Sequence, residues 1–252
     1  MNARRFRRSS AIGLACAVLA LSGCVGAPVG VSPADPSLIQ RELTSNVLNS
    51  GEPSLLSTQV LQRQNLYERW RREPRAALAM LHRRIGDAGA QYRLFALSEL
   101  SYAYAQASGD RSYYLASAVY AYALLFPGDG DSAPLGPSDP RVRIACDLYN
   151  RALAEGLRAA RSTTLELESG PRILPFGVLD VTLQSEGLEW AGYRLEQLVP
   201  AADLRVRGLR NRYRRAGIGA PLVARVAPGQ VERQEAANRR IPDLVKVPIT
   251  AF

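Results

Sequence analysis

The chain of 252 residues contains a single histidine, His82, and a single lysine, Lys246. With one histidine, a histidine-based zinc cluster and the paired-histidine helix of metalloproteases are both excluded. No Gly-x-Ser-x-Gly turn occurs, and neither a phosphate-binding Walker loop nor a dinucleotide fingerprint is present. His82 lies in Leu81-His82-Arg83-Arg84 on a predicted helix. It reads as a surface or packing residue, because no recognisable nucleophile accompanies it. No catalytic residue, metal ligand or cofactor is therefore assigned. Long apolar runs are also scarce. The clearest is Ala11 to Leu21, eleven residues without a charge, where a membrane-spanning helix needs roughly 18–20. Acidic residues are missing from two places, residues 1–24 and the stretch between Asp203 and Glu232.

The first of these acid-free stretches is a signal peptide by its layout. Arg4, Arg5, Arg7 and Arg8 form a basic start, and the apolar run follows. It ends in Leu21-Ser22-Gly23-Cys24, which resembles the bacterial lipobox. Small residues before the cysteine let the peptidase approach, and the sulfur receives a diacylglycerol. Cys24 is thus the expected lipidation site and the bilayer an expected partner, held by fatty acyl chains such as palmitate. Each buried methylene contributes about 0.8 kcal/mol, so two or three chains hold effectively permanently. Val25 stands where an aspartate would favour inner-membrane retention, so the expected location is the outer membrane, facing the periplasm. Of the three cysteines, Cys16 leaves with the signal peptide and Cys24 carries lipid, which leaves Cys146 without a partner for a disulfide. Its apolar helical surroundings make Cys146 a small buried hydrophobe rather than a reactive thiol.

Removal of residues 1–23 takes four arginines and no acid, so 32 basic residues become 28 against 23 acidic. That excess is mild and, with the compartment, argues against nucleic acid. Hydrophobic residues at 47% and charged residues at 22% are globular values. About 230 residues suffice for one large domain or two small ones. Residues 25–53, rich in Gly, Pro, Ser and Asn, read as a flexible tether with a marginal helix within Pro36 to Leu48. Residues 54–161 read as a helical domain. Its predicted helices cover Leu55 to Arg72, Ala76 to Ile85 after Pro74, Gln91 to Gln106, Tyr113 to Phe126 and Arg141 to Ala160. Asp110 is a predicted N-cap, and Tyr113 to Phe126, apolar but for Ser117, reads as a buried central helix.

Residues 162–252 change period. Thr164 to Glu168 alternates as a half-buried strand, Ser169 to Arg172 reads as a turn, and Gly177 to Leu183 alternates again. A hairpin follows from this pattern, covered by Trp190, Tyr193 and Leu195. Further short strands are expected at Leu204 to Arg207 and Leu222 to Val226. The fold class is α+β: a helical-hairpin bundle followed by a smaller β-rich region, which has the look of an incomplete domain. The densest charge cluster is Arg205, Arg207, Arg210, Arg212, Arg214 and Arg215. Clustered guanidinium groups without neighbouring acids make it a candidate anion-binding site for lipid headgroups, phosphate or an acidic envelope protein. The opposing reading is a solvated surface.

Two resemblances follow from the residues themselves. Leu97, Leu100, Ser101 and Tyr104, then Ala116, Tyr120 and Ala123, resemble tetratricopeptide-like packing, without a clean 34-residue period. Separately, Arg93 to Tyr102, Tyr113 to Phe126 and Ala145 to Leu153, together with Val206 to Arg212 and Gly217 to Leu222, resemble the N-terminal accessory region of large proteobacterial lipoproteins of the α/β-hydrolase type. That resemblance covers most of the chain beyond the signal peptide and rests on scaffold motifs. It implies an esterase- or lipase-like domain downstream and carries no catalytic residue onto this sequence. The expectation is a non-catalytic part of such a protein, either truncated or standing alone. The alternative is a helical-repeat scaffold that binds another envelope protein.

Overall fold

A computed structural model describes residues 30, 31, 33–86, 88–128, 133–160, 162–184, 189, 190, 193–204, 217–228 and 246–251. The chain divides into two units, residues 1–40 and 41–252. Helix α1 (Pro36–Thr44) begins in the first. Asp35 starts it, its side chain accepting from the Ser37 N–H at 2.8 Å and its carbonyl from the Leu38 and Ile39 N–H groups. Pro36 occupies the first helical position, where its missing N–H costs nothing. No residue of α1 is buried.

One turn of helix, α2 (Val47–Ser50), follows after two residues. Asn46 and Asn49 cap it reciprocally: the Leu48 N–H donates to the Asn46 side chain at 3.0 Å and the Asn46 N–H to that of Asn49 at 2.9 Å. Gly51 closes it at φ 80°, a left-handed conformation that glycine adopts without strain. Val47 is buried in the core. Among its described residues, the stretch read as a tether, 25–53, thus carries two helices and one core residue.

The region 54–161 is helical, with different breaks. The expected helix Leu55 to Arg72 is two, α3 (Leu55–Arg63) and α4 (Tyr67–Arg72). Asn65 separates them at φ 56°, a conformation its short polar side chain tolerates, and Leu66 drops into the core behind it. Then come α5 (Pro74–His82), α6 (Ala90–Ser108), α7 (Arg111–Leu125) and α8 (Pro140–Gly156). Asp110 caps α7 by accepting from the Ser112 N–H at 3.1 Å, and Asp139 caps α8 by accepting from the Arg141 N–H at 2.9 Å.

The α7 helix is central. One core cluster joins α3 to α7 through Leu61, Leu78, Leu81, Leu97, Leu100 and Ala116. A second joins α2, α6, α7 and α8 through Val47, Tyr102, Ala118, Ala121, Leu148 and Ala152. Each fully buried leucine contributes about 1.5–3 kcal/mol. Small residues set the spacing. Ser117 Oγ donates to the Ser98 carbonyl at 2.7 Å, and Ser98 Oγ donates back to the Ser117 carbonyl at 3.0 Å. The apolar composition of α7 overstates its burial, for Val119 and Tyr122 stay exposed, as does Phe126 just beyond its end.

Among the described residues, two antiparallel sheets complete the α+β fold. The hairpin differs from the expected one. Its strands are β1 (Gly170–Leu174) and β2 (Gly177–Val181), with Leu174 paired to Gly177 across the turn Pro175-Phe176. Ser169 to Arg172 is therefore not the turn. Residues Leu165 to Glu168 do alternate in burial, but the segment pairs only at one isolated bridge, Arg158 to Leu165. Leu165 and Leu167 pack on the other sheet, against Leu195, Leu198, Leu222 and Ala224. That sheet has the order β3 (Glu189–Trp190), β4 (Tyr193–Pro200), β5 (Ala220–Pro228), β6 (Lys246–Ala251). Residues 190, 193 and 195 belong to this second sheet, and Leu195 packs within it against Leu198, Leu222 and Ala224. The strand expected at Leu204 to Arg207 falls, past Leu204, outside the described residues.

Candidate functional site

Cys24 and the six arginines Arg205, Arg207, Arg210, Arg212, Arg214 and Arg215 lie outside the described residues. The described residues on either side of the arginine segment are both tied to α8. Before it, Asp203 ends a short 3-10 turn (Ala201–Asp203) and accepts from Arg151 and Arg158, each at 2.7 Å. After it, Asn150 holds the backbone at two points. Its amide donates to the Gly217 carbonyl at 2.8 Å, and its oxygen accepts from the Gly219 N–H at 2.7 Å. Gly217 and Gly219 both sit at φ 112°, a region that favours glycine. Ile218 between them packs against the cluster of Tyr102 and Leu148.

Glu155 closes a ring with these groups, at 3.1 Å from Arg151 and 2.8 Å from Arg158. Arg151 and Glu155 sit one turn apart on α8, and Arg158 follows two residues past its end. Burial pushes the Asp203 carboxyl up, but hydrogen bonds from Arg158 and Arg151 outweigh it, and its pKa lies below the ordinary value. The Arg158 guanidinium is raised, first by its hydrogen bond to Glu155. Two positive and two negative charges balance. This ring is a fastening between α8 and the turn after β4, not a receptor for an anion.

Beside the ring is a cleft of about 470 Å³ lined by Arg111, Tyr114, Glu155, Arg158, Ser162 and Thr163. The Tyr114 phenol is pushed up to about 12, chiefly by burial, so it stays a hydrogen-bond donor near neutral pH. The Arg111 guanidinium donates to the Arg158 carbonyl and links the start of α7 to the end of α8. The lining offers hydroxyls and guanidinium N–H groups but no nucleophile–base pair.

His82 sits in an aromatic cluster. Its ring stacks on Phe176 at 4.6 Å between centroids, tilted by 12°, and its Nδ1 lies 2.8 Å from the Tyr120 hydroxyl. Burial lowers the His82 pKa and raises that of Tyr120. A neutral imidazole therefore accepts from a protonated phenol. Phe176 is at the tip of the β1–β2 hairpin and reaches the α3–α7 core cluster, so His82 is part of the seat that receives the hairpin. Cys146 is half-buried on α8 with its thiol pKa raised by burial, opposite to what a reactive thiol needs. Among the described residues no group of three or more His, Cys, Asp or Glu gathers as metal ligands, and no helix is long and apolar enough to cross a membrane.

The most concentrated polar site escaped the sequence reading. Glu99 is fully buried on α6. Its Oε1 accepts from the N–H groups of Val47 at 3.0 Å and Ser54 at 2.9 Å. Its Oε2 accepts from the hydroxyls of Ser54 at 2.6 Å and Ser57 at 2.5 Å. Four donors on two oxygens fill a carboxylate's acceptor capacity. Glu99 thus fastens the segment entering the bundle to its middle. The available signal was a lone acid inside the apolar stripe Leu97-Ser98-Glu99-Leu100. Asn150 offered no comparable signal, since one surface amide in a helix resembles any other. Compared with protein-family models, curated proteins and solved structures, the chain matches none.

Proposed function

We propose that the chain is a membrane-anchored cell-envelope lipoprotein, held through acylated Cys24 at the outer membrane and facing the periplasm. Its folded part is a non-catalytic mount, the accessory region of an α/β-hydrolase-type protein whose esterase- or lipase-like chemistry resides in a further domain. The observation that carries this reading is the use of His82. A serine hydrolase needs an imidazole free to take a proton from a nucleophile beside an oxyanion hole. Here Nδ1 is engaged by a phenol and the ring is stacked on Phe176. The remaining polar groups join elements: Glu99 ties α2 and α3 to α6, and the four-charge ring ties α8 to the turn after β4. Tetratricopeptide-like packing of α6 and α7 belongs to the same reading. A panel of short- and long-chain nitrophenyl esters tests it. The purified chain turns over none of them above background, while the chain extended through any downstream reading frame does. Turnover by the chain alone that vanishes in His82→Ala overturns the reading.

The arginines between Asp203 and Gly217 form, on this reading, a salt-sensitive contact for anionic headgroups or an acidic partner. Attachment of both flanks to α8 supports it, because a segment with fixed ends loses less entropy on binding. Screening over about 8–10 Å sets the salt dependence. A second reading, a scaffold that binds another envelope protein, is favoured by one observation. Val119, Tyr122 and Phe126 form an exposed stripe, with the last two rings 4.9 Å apart. Capture of a specific envelope protein that is lost in Tyr122→Arg supports the scaffold.

A further inference from the structure

We infer that α1 (Pro36–Thr44) is a second membrane contact, lying flat in the headgroup region beside the lipid anchor. The inference rests on the lipoprotein reading of Cys24 and adds a site to it. At about 100° per residue, Pro36, Ile39 and Leu43 fall within an arc of roughly 60°, while Leu38 lies about 100° outside it. Ser37, Arg41 and Thr44 lie away from this arc, and Gln40 borders it. No residue of this helix is buried, and the three large apolar side chains stand in solvent, Leu38 at 50%, Ile39 at 42% and Leu43 at 71% exposure. A helix with one apolar face and nothing buried lacks the packing that stabilises most helices of nine residues. An interface that takes that face supplies it.

The tether identifies the occupant. Eleven residues separate Cys24 from Pro36. A chain of that length cannot span more than about 40 Å. Acyl chains at Cys24 therefore hold α1 within reach of the bilayer at all times, at a high effective concentration. The composition fits. Arg41 on the far side faces water, and Glu42, projecting between Leu38 and Ile39, keeps Leu38 from sinking with the apolar face. With only Ser45 and Asn46 between α1 and α2, a helix seated on the membrane leaves the bundle a two-residue lead. A long free tether would have let it roam.

The test uses the full lipidated protein in vesicles of phosphatidylethanolamine and phosphatidylglycerol, in a Cys146→Ala background. Single cysteines replace Ser37, Ile39, Arg41 or Leu43 in turn and carry an environment-sensitive fluorophore. Lipids brominated near the headgroup serve as quencher, and mass spectrometry of the same samples reads the acyl state of Cys24. Expected is quenching several-fold stronger for Ile39→Cys and Leu43→Cys than for Ser37→Cys and Arg41→Cys. Equal, water-like quenching at all four positions with Cys24 acylated overturns the α1 contact and leaves the anchor standing. Cys24 without acyl groups overturns both.

Discussion

Replacing Glu99 tests the internal architecture most sharply, because its cost follows from which donors it leaves behind. In Glu99→Ala, the hydroxyls of Ser54 and Ser57 can rotate toward other acceptors, but the N–H groups of Val47 and Ser54 cannot turn. Two orphaned buried N–H groups cost about 1–3 kcal/mol each, and the vacated volume adds to that. A loss of about 4 kcal/mol is expected. For a unit of this size, each kcal/mol lowers Tm by about 2–4 °C, so the midpoint falls by roughly 8–16 °C. Glu99→Gln behaves differently. Its carbonyl can keep both backbone N–H groups while its NH₂ faces the two hydroxyls, which then accept. The loss is the difference between charged and neutral hydrogen bonds, about 1–2 kcal/mol. Urea unfolding followed by far-ultraviolet circular dichroism measures the series, with the exposed Glu52→Ala as reference near zero. Amide exchange should accelerate at Val47 and Ser54 in Glu99→Ala. An alanine variant within about 1 kcal/mol of the parent, or a glutamine variant worse than alanine, refutes the account of the hub.

Other expectations concern the seams between elements. A Cβ on Gly156 would lie 2.6 Å from Leu115 Cδ2 and 3.2 Å from the Leu115 nitrogen. Gly156→Ala should therefore destabilise by about 1–3 kcal/mol, despite a helix-propensity gain near 1 kcal/mol, as read by calorimetry. Asn150→Ala should lose about 1–3 kcal/mol and expose the Gly219 amide to exchange, and Asn150→Asp should not rescue it, since a carboxylate cannot donate to the Gly217 carbonyl. The Asp203 pKa is lowered on folding, so its contribution is present above the ordinary carboxylate value and lost as pH falls through the folded one. Stability profiles below about pH 4 should accordingly flatten in Asp203→Asn. The His82 pKa is also lowered, so the unfolded chain binds the proton first and stability drops as pH falls from 7 toward 5. His82→Phe should remove that slope.

Much of the helical half was legible because its punctuation is local. Asp110, Gly109, Pro74 and Asp139-Pro140 act through their own backbone geometry, and the helices start or end at those residues. The break at Asn65 was not legible, since the apolar pattern runs through it and the left-handed turn serves Leu66 packing. In the β-rich half, alternation told which residues face inward but not which strands pair. Thr164 to Glu168 has a strand's pattern yet finds its apolar partners on β4 and β5, and Gly170 to Leu174 pairs with β2 in its place. Pairing is decided by long-range contacts that period alone does not encode. Glu99, Asn150 and the ring of Arg151, Glu155, Arg158 and Asp203 stayed hidden for the same reason. Their partners lie 45 to 69 residues away for Glu99 to Ser54 and Asn150 to Gly219.

The central claim, an envelope protein held by lipid at Cys24 and serving as a mount, is tested most directly at its N-terminus. The protein is extracted from membranes in detergent and digested, and its N-terminal peptide is weighed by mass spectrometry. The account predicts a peptide that begins at Cys24 and carries a thioether-linked diacylglycerol. A peptide that retains residues before Cys24, or one that starts there with a free thiol, contradicts it.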